Sequence, residues 1–133
     1  MMHRYLSIGR WDVDFYFATE GYKAEILLPV LDEFGIDGSF LARVEEIIDA
    51  NLPDTGFICI DRKMKEAIIV IGPTTSGAEF IDTMVHEIHH LAVAIADSLG
   101  VDLQGETPAY LSGDSARELA EVLCKLGCSH CKE

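Results

Sequence analysis

Between Ser76 and Gly100 apolar residues recur at three- and four-residue steps: Ile81, Met84, Val85, Ile88, Ala92, Ile95 and Leu99. That period is the signature of an amphipathic helix. Ser76 and Glu79 have the spacing of a capping box, and Gly100 suits the left-handed residue that ends a helix. A helix this long has to bury one stripe against something else, so the rest of the chain is expected to supply a packing surface.

Strand patterns supply it. Val13, Phe15 and Phe17 alternate with Asp12, Asp14 and Tyr16, the period of a half-buried strand. FICID (57–61) and EAIIVI (66–71), joined by the basic turn RKMK, read as a hairpin. The segment 22–28 is expected to be a strand leading into a short helix with Pro29 in its first turn. Ser39 is expected to cap a helix carrying Leu41, Val44, Ile47 and Ile48. After the long helix, a second one is expected from Glu106 to Pro108 through to about Leu126. The fold class that follows is α+β: a small sheet of about three to four strands, packed on the long helix and its successor. One domain is expected over residues 1–126, with a short Cys/His-containing tail at 127–133.

Inside the long helix the chain reads HEIHH, from His86 to His90. His86 and His90 are four residues apart, so both imidazoles leave one face, one turn apart. That spacing suits two nitrogen ligands of one Zn²⁺ ion. Glu87 lies beside the pair but too far round the helix to join the same chelate. It is the candidate general base, able to take a proton from water at the metal and pass it to a leaving amine. His89 points too far round to share the metal with both neighbours.

A catalytic zinc needs a third protein ligand and an open position. One continuation of the motif would place Gly at 93 and His or Asp at 96, where this chain has Val93 and Ala96. GETPAYL instead puts Glu106 at the start of the next helix, which can fold back across the first. Glu106 is therefore the candidate third ligand, with Asp102 and Asp114 as competitors. Tyr110, one turn after Glu106, is a candidate hydrogen-bond donor to an oxyanion. Packing against the first helix is the more ordinary use of such an aromatic. EAIIVI is either a sheet edge for an extended peptide or simply a buried strand.

HEIHH followed by GETPAYL resembles the small gluzincin-type zinc peptidases, above all the short HExxH proteins of the phage and mobile-element kind. The likeness spans about residues 57–126. It implies a strand before the HExxH helix, a second helix bringing a Glu, one zinc ion, ligands His86, His90 and Glu106, and Glu87 as base. The Asp that the longer family signature places four residues after the ligand Glu is Tyr110 here.

Charge narrows the partners. Ten Lys and Arg face 23 Asp and Glu, a formal charge of −13. A basic face for nucleic acid is not expected, nor attraction to an anionic membrane surface. No apolar run approaches the roughly 20 residues that span a bilayer, and no secretory leader is read at the start. The expected setting is cytoplasmic, the expected partner a polypeptide substrate. Cys59, Cys124, Cys128 and Cys131 are then expected as reduced thiols, the last three with His130 forming a weaker candidate second metal site. The competing functions are a non-catalytic metal-binding structural or interaction domain and, lower, a DNA mimic.

Overall fold

The computed structural model describes residues 1–127. Cys128, His130 and Cys131 lie outside them. The chain runs β1 (Met2–Ile8), β2 (Trp11–Phe17), α1 (Ala24–Phe34), α2 (Gly38–Ala50), β3 (Gly56–Asp61), β4 (Glu66–Ile71), α3 (Gly77–Ser98), α4 (Glu106–Glu118) and α5 (Ala120–Gly127). The strands form one mixed sheet in the order β1-β2-β4-β3. β1 and β2 are antiparallel, β2 and β4 parallel, β4 and β3 antiparallel. The fold is therefore α+β, with four strands.

The sheet is covered on both faces. On one, Val13, Phe15, Phe17, Ala67, Ile69 and Ile71 meet Phe80, Met84, Leu91 and Ile95 of α3, Leu111 of α4 and Val122 of α5. On the other, Ile68 and Val70 meet Leu27 and Leu31 of α1 and Val44 and Ile48 of α2. This explains why EAIIVI is continuously apolar after Glu66: β4 is interior and buried on both faces. It is the buried strand of the two readings, and the edge role passes to its neighbour β3.

Several local expectations are corrected. No strand forms over 22–28; α1 begins at Ala24 and runs through Pro29. Leu27 and Leu31, one turn apart, are fully buried. Pro29 and Glu25 sit on the solvent side, where water can reach the Glu25 carbonyl left without its helical N–H. Burial of the apolar stripe outweighs the missing bond. α2 is capped by Asp37, which accepts from the Phe40 N–H at 3.0 Å, while Ser39 donates its hydroxyl to the same carboxylate. The last helix is broken at Leu119 into α4 and α5. Ser115 donates its hydroxyl to the Leu111 carbonyl one turn back at 2.7 Å, a bond that bends helices.

β1 was not legible as a strand. Its outward residues are His3, Tyr5 and Ser7, and Gly9 and Arg10, both at positive φ, turn the chain into β2. His3 bonds Asp14 at 2.7 Å and stacks on Tyr16 across the pair.

Cys59 is a free, fully buried thiol whose pKa burial pushes up to about 12. The reactive thiolate is thus suppressed until strongly alkaline pH. In the native protein at mildly alkaline pH, iodoacetamide is expected to leave the Cys59 peptide unlabelled by mass spectrometry, and to label it once urea unfolds the chain. Among the described residues no helix is long and apolar enough to cross a membrane.

Candidate metal centre

Ser76 caps α3 through the Glu79 N–H at 3.1 Å, so the helix starts where the sequence places it. Two turns on, its regular pitch brings His86 and His90 together. Their Nε2 atoms lie 3.2 Å apart, with the rings nearly perpendicular at 78°. Two nitrogens each about 2.0–2.1 Å from one tetrahedral ion lie about 3.3 Å apart. The donor pair fits zinc in both chemistry and spacing. A direct N–H···N bond is the other use of such a distance, and a cation would take the place of the shared proton. Slight desolvation of the largely exposed ring, then the neighbouring His86 and His89, hold the His90 pKa below its ordinary value, which favours the neutral, ligating imidazole.

Glu87 sits differently. It is only 5% exposed and accepts no hydrogen bond among the described residues. Yet no buried side-chain oxygen among the described residues is both sealed and unpartnered. Its oxygens therefore open toward the cavity of about 310 Å³ that Glu87 lines with His86, Asp82, Thr83, Thr55 and Ile47. Burial raises the Glu87 pKa, and His86 partly opposes this. A partnerless carboxylate of raised pKa facing a cavity is the environment of a general base.

α3 approaches β3 closely at this point. A Cβ placed on Gly56 would lie 2.9 Å from the Val70 carbonyl oxygen, 3.1 Å from Thr83 Cγ2 and 3.5 Å from Glu87 Cγ. The carbonyl cannot yield without disturbing the β3–β4 pairing. Gly56→Ala is expected to lower stability by about 1–3 kcal/mol, read from the urea midpoint.

The strand itself offers an unpaired edge. Asp12 N–H donates to the Lys65 carbonyl and Ala18 N–H to the Ile71 carbonyl, so odd-numbered residues of β4 face β2. Even-numbered ones face β3. With Phe57 opposite Val70 and Cys59 opposite Ile68, the odd-numbered β3 residues spend their backbone groups on β4. Gly56, Ile58 and Ile60 turn theirs outward.

The third ligand expected from sequence does not arrive. α4 and α5 return antiparallel along α3: the site of a Gly9 Cβ touches both Leu111 and Ile95, and that of Gly127 touches Ile81. At about 100° per residue, Ile81 and Ile95 lie roughly 140–180° round α3 from His86 and His90. The histidines share the flank that follows β3, where Arg62 donates to the Ala94 carbonyl and to Asp97. Glu106 starts α4 five residues before Leu111, past the level of Ile95 and on the opposite flank. Among the described residues it forms no three-donor group with the pair. Tyr110, next to Leu111 in the chain, is 68% exposed. Asp102 lies in the α3–α4 loop, where it accepts from the Gln104 N–H, and Asp114 pairs with Arg117 on α4. Among the described residues no three His, Cys, Asp or Glu side chains form a group able to hold a metal.

What the sequence did not reveal is Tyr22. Thr55 donates its hydroxyl to the Leu52 carbonyl, so the Tyr22 hydroxyl must donate to Thr55 Oγ1, at 2.7 Å. Thr55 lines the cavity, and Glu87 is near enough to raise the Tyr22 pKa, after burial as the main cause. Gly72 makes room for this ring: a Cβ there would lie 2.5 Å from it. Asp54, which also lines the cavity, is committed to Thr75, accepting from its N–H and its hydroxyl at 2.8 Å each. No family model, curated protein or solved structure matches this chain.

Proposed function

We propose that this protein is a zinc-dependent hydrolase that cleaves a peptide bond. The observation that carries the reading is the convergence of the His86 and His90 Nε2 atoms to 3.2 Å beside a buried Glu87 that has no partner among the described residues. When bound, zinc supplies a Lewis acid and an acidified water. His86 and His90 hold it as neutral imidazoles. Glu87 takes a proton within the cavity and returns it to the leaving amine, the role its raised pKa favours. The outward N–H and C=O groups of Gly56, Ile58 and Ile60 offer an extended polypeptide a strand to pair with. The acidic surface makes a polypeptide a better partner than a nucleic acid. The cytoplasmic setting expected from the sequence stays part of this proposal.

The purified protein is expected to hold one zinc ion per chain by elemental analysis. His86→Ala and His90→Ala each lose it with the circular dichroism unchanged, because both rings are exposed. A wild-type chain that takes up no stoichiometric zinc sinks the reading. A non-catalytic metal-binding domain is the second reading, favoured by the two-donor set among the described residues. It predicts zinc retention with no cleavage of any unfolded protein offered.

A further inference from the structure

The free edge of β3 also runs past a second, larger cavity. It holds about 750 Å³ between the α1–α2 junction, the first turns of α2 and the far half of β3. Phe34, Ile36, Phe40, Ile58 and Ile60 give it apolar walls, and Arg43 stands among them. Gly56 lines the cavity beside His86, and Ile60 lines this one. One strand edge therefore serves both, four residues or roughly 13 Å apart.

The charges around the larger cavity are mostly committed. Asp37 accepts from the Phe40 N–H and the Ser39 hydroxyl. Asp61 accepts from the Met64 N–H, and Arg62 is paired with Asp97. Arg43 has no hydrogen bond or ion pair among the described residues. In a chain of net charge −13, an uncommitted guanidinium against apolar walls selects for an apolar group carrying a carboxylate beside it.

We propose that this cavity is a recognition subsite for an extended polypeptide lying along β3. It takes one large apolar side chain, with a neighbouring Asp or Glu on Arg43, about four residues from the point level with His86. Calling it a substrate subsite rests on the peptidase reading above; the docking itself does not. The occupant is a strand because Ile58 and Ile60 offer backbone pairing groups along the same edge, which a free small molecule cannot use.

The test uses the full chain with Glu87→Gln, so that bound peptide is not cut. Fluorescent twelve-residue Gly/Ser/Thr peptides carry one Phe-Glu pair, and binding is read by anisotropy. Replacing Phe-Glu by Ser-Ser is expected to weaken binding about tenfold. Arg43→Glu, an exposed change, weakens the Phe-Glu peptide by a similar factor and is rescued by a Phe-Lys peptide. Binding that ignores the pair, or an Arg43→Glu variant that binds Phe-Glu unchanged, overturns the proposal. So does 3-phenylpropionate binding as tightly as the peptide, which marks a small-carboxylate site. If docking follows Arg43 but the wild type neither holds zinc nor cuts the peptide, the peptidase reading fails and this inference stands. If the wild type cuts all peptides alike, this inference fails and the peptidase reading stands.

Discussion

Replacing Glu87 by Gln is expected to lower peptide hydrolysis by roughly 10²–10⁴-fold while leaving the zinc content at the wild-type value. The amide keeps the shape and loses the proton acceptor. His86 and His90 hold the ion from their own face of α3, so the substitution spares them. A second readout follows from burial. Glu87 is 5% exposed with no hydrogen-bond partner among the described residues, and its pKa is raised mainly by that burial. Without metal, the folded chain therefore keeps this proton to a higher pH than the unfolded chain. The sign follows from linkage: stability is greatest below the ordinary glutamate pKa and falls as pH rises through the raised folded value. Glutamine has no such loss. Metal-free Glu87→Gln protein should resist urea better than wild type at neutral pH, with the gap closing in acid. Hydrolysis that survives the substitution excludes Glu87 as the base.

The largest expected loss of stability comes from Phe80→Ala, about 3–5 kcal/mol. Phe80 is 1% exposed in the first turn of α3, its ring 6.1 Å from that of Phe17, which stacks 6.2 Å from Phe15. It also lies against Gly127, where the end of α5 crosses the start of α3. Removing the ring opens a void where sheet, α3 and α5 meet, and loosens the turn that leads to Asp82 and Thr83. Tyr110→Ala is the contrast: an exposed aromatic whose loss should shift stability by no more than about 0.5 kcal/mol and leave zinc binding and hydrolysis untouched. A urea midpoint series on the two variants reads both. A Tyr110→Ala variant with lost activity would mean that α4 reaches the centre after all.

The parts of this fold that were legible are those whose signals are local. α3 announces itself through its cap and its apolar steps, the β3–β4 hairpin through β-rich runs on either side of RKMK, and β2 through strict alternation. β1 escaped because its outward His3, Tyr5 and Ser7 stand opposite Tyr16, Asp14 and Asp12 on β2, partners the strand cannot name by itself. α1 was misread because the cost of Pro29 is local, while the burial of Leu27 and Leu31 that outweighs it depends on β4. The tyrosine near the centre was sought on α4. Tyr22 comes nearer from far upstream: its hydroxyl bonds Thr55, which lines the cavity, and Gly72 leaves room for its ring.

The candidate centre divides along the same line. The sequence by itself determined that His86 and His90 converge and that Glu87 stands one residue away, because helical pitch sets those relations whatever surrounds the helix. Tertiary structure decided which flank of α3 the histidines occupy and what they face there. The apolar side chains of α4 and α5 had to be buried against Phe80, Ile95 and the sheet, and that drew α4, with Glu106 and Tyr110, to the far flank. β3 was left along the near flank with one edge open. Packing choices of that kind depend on surfaces distant in sequence, and no spacing within HEIHH or GETPAYL encodes them.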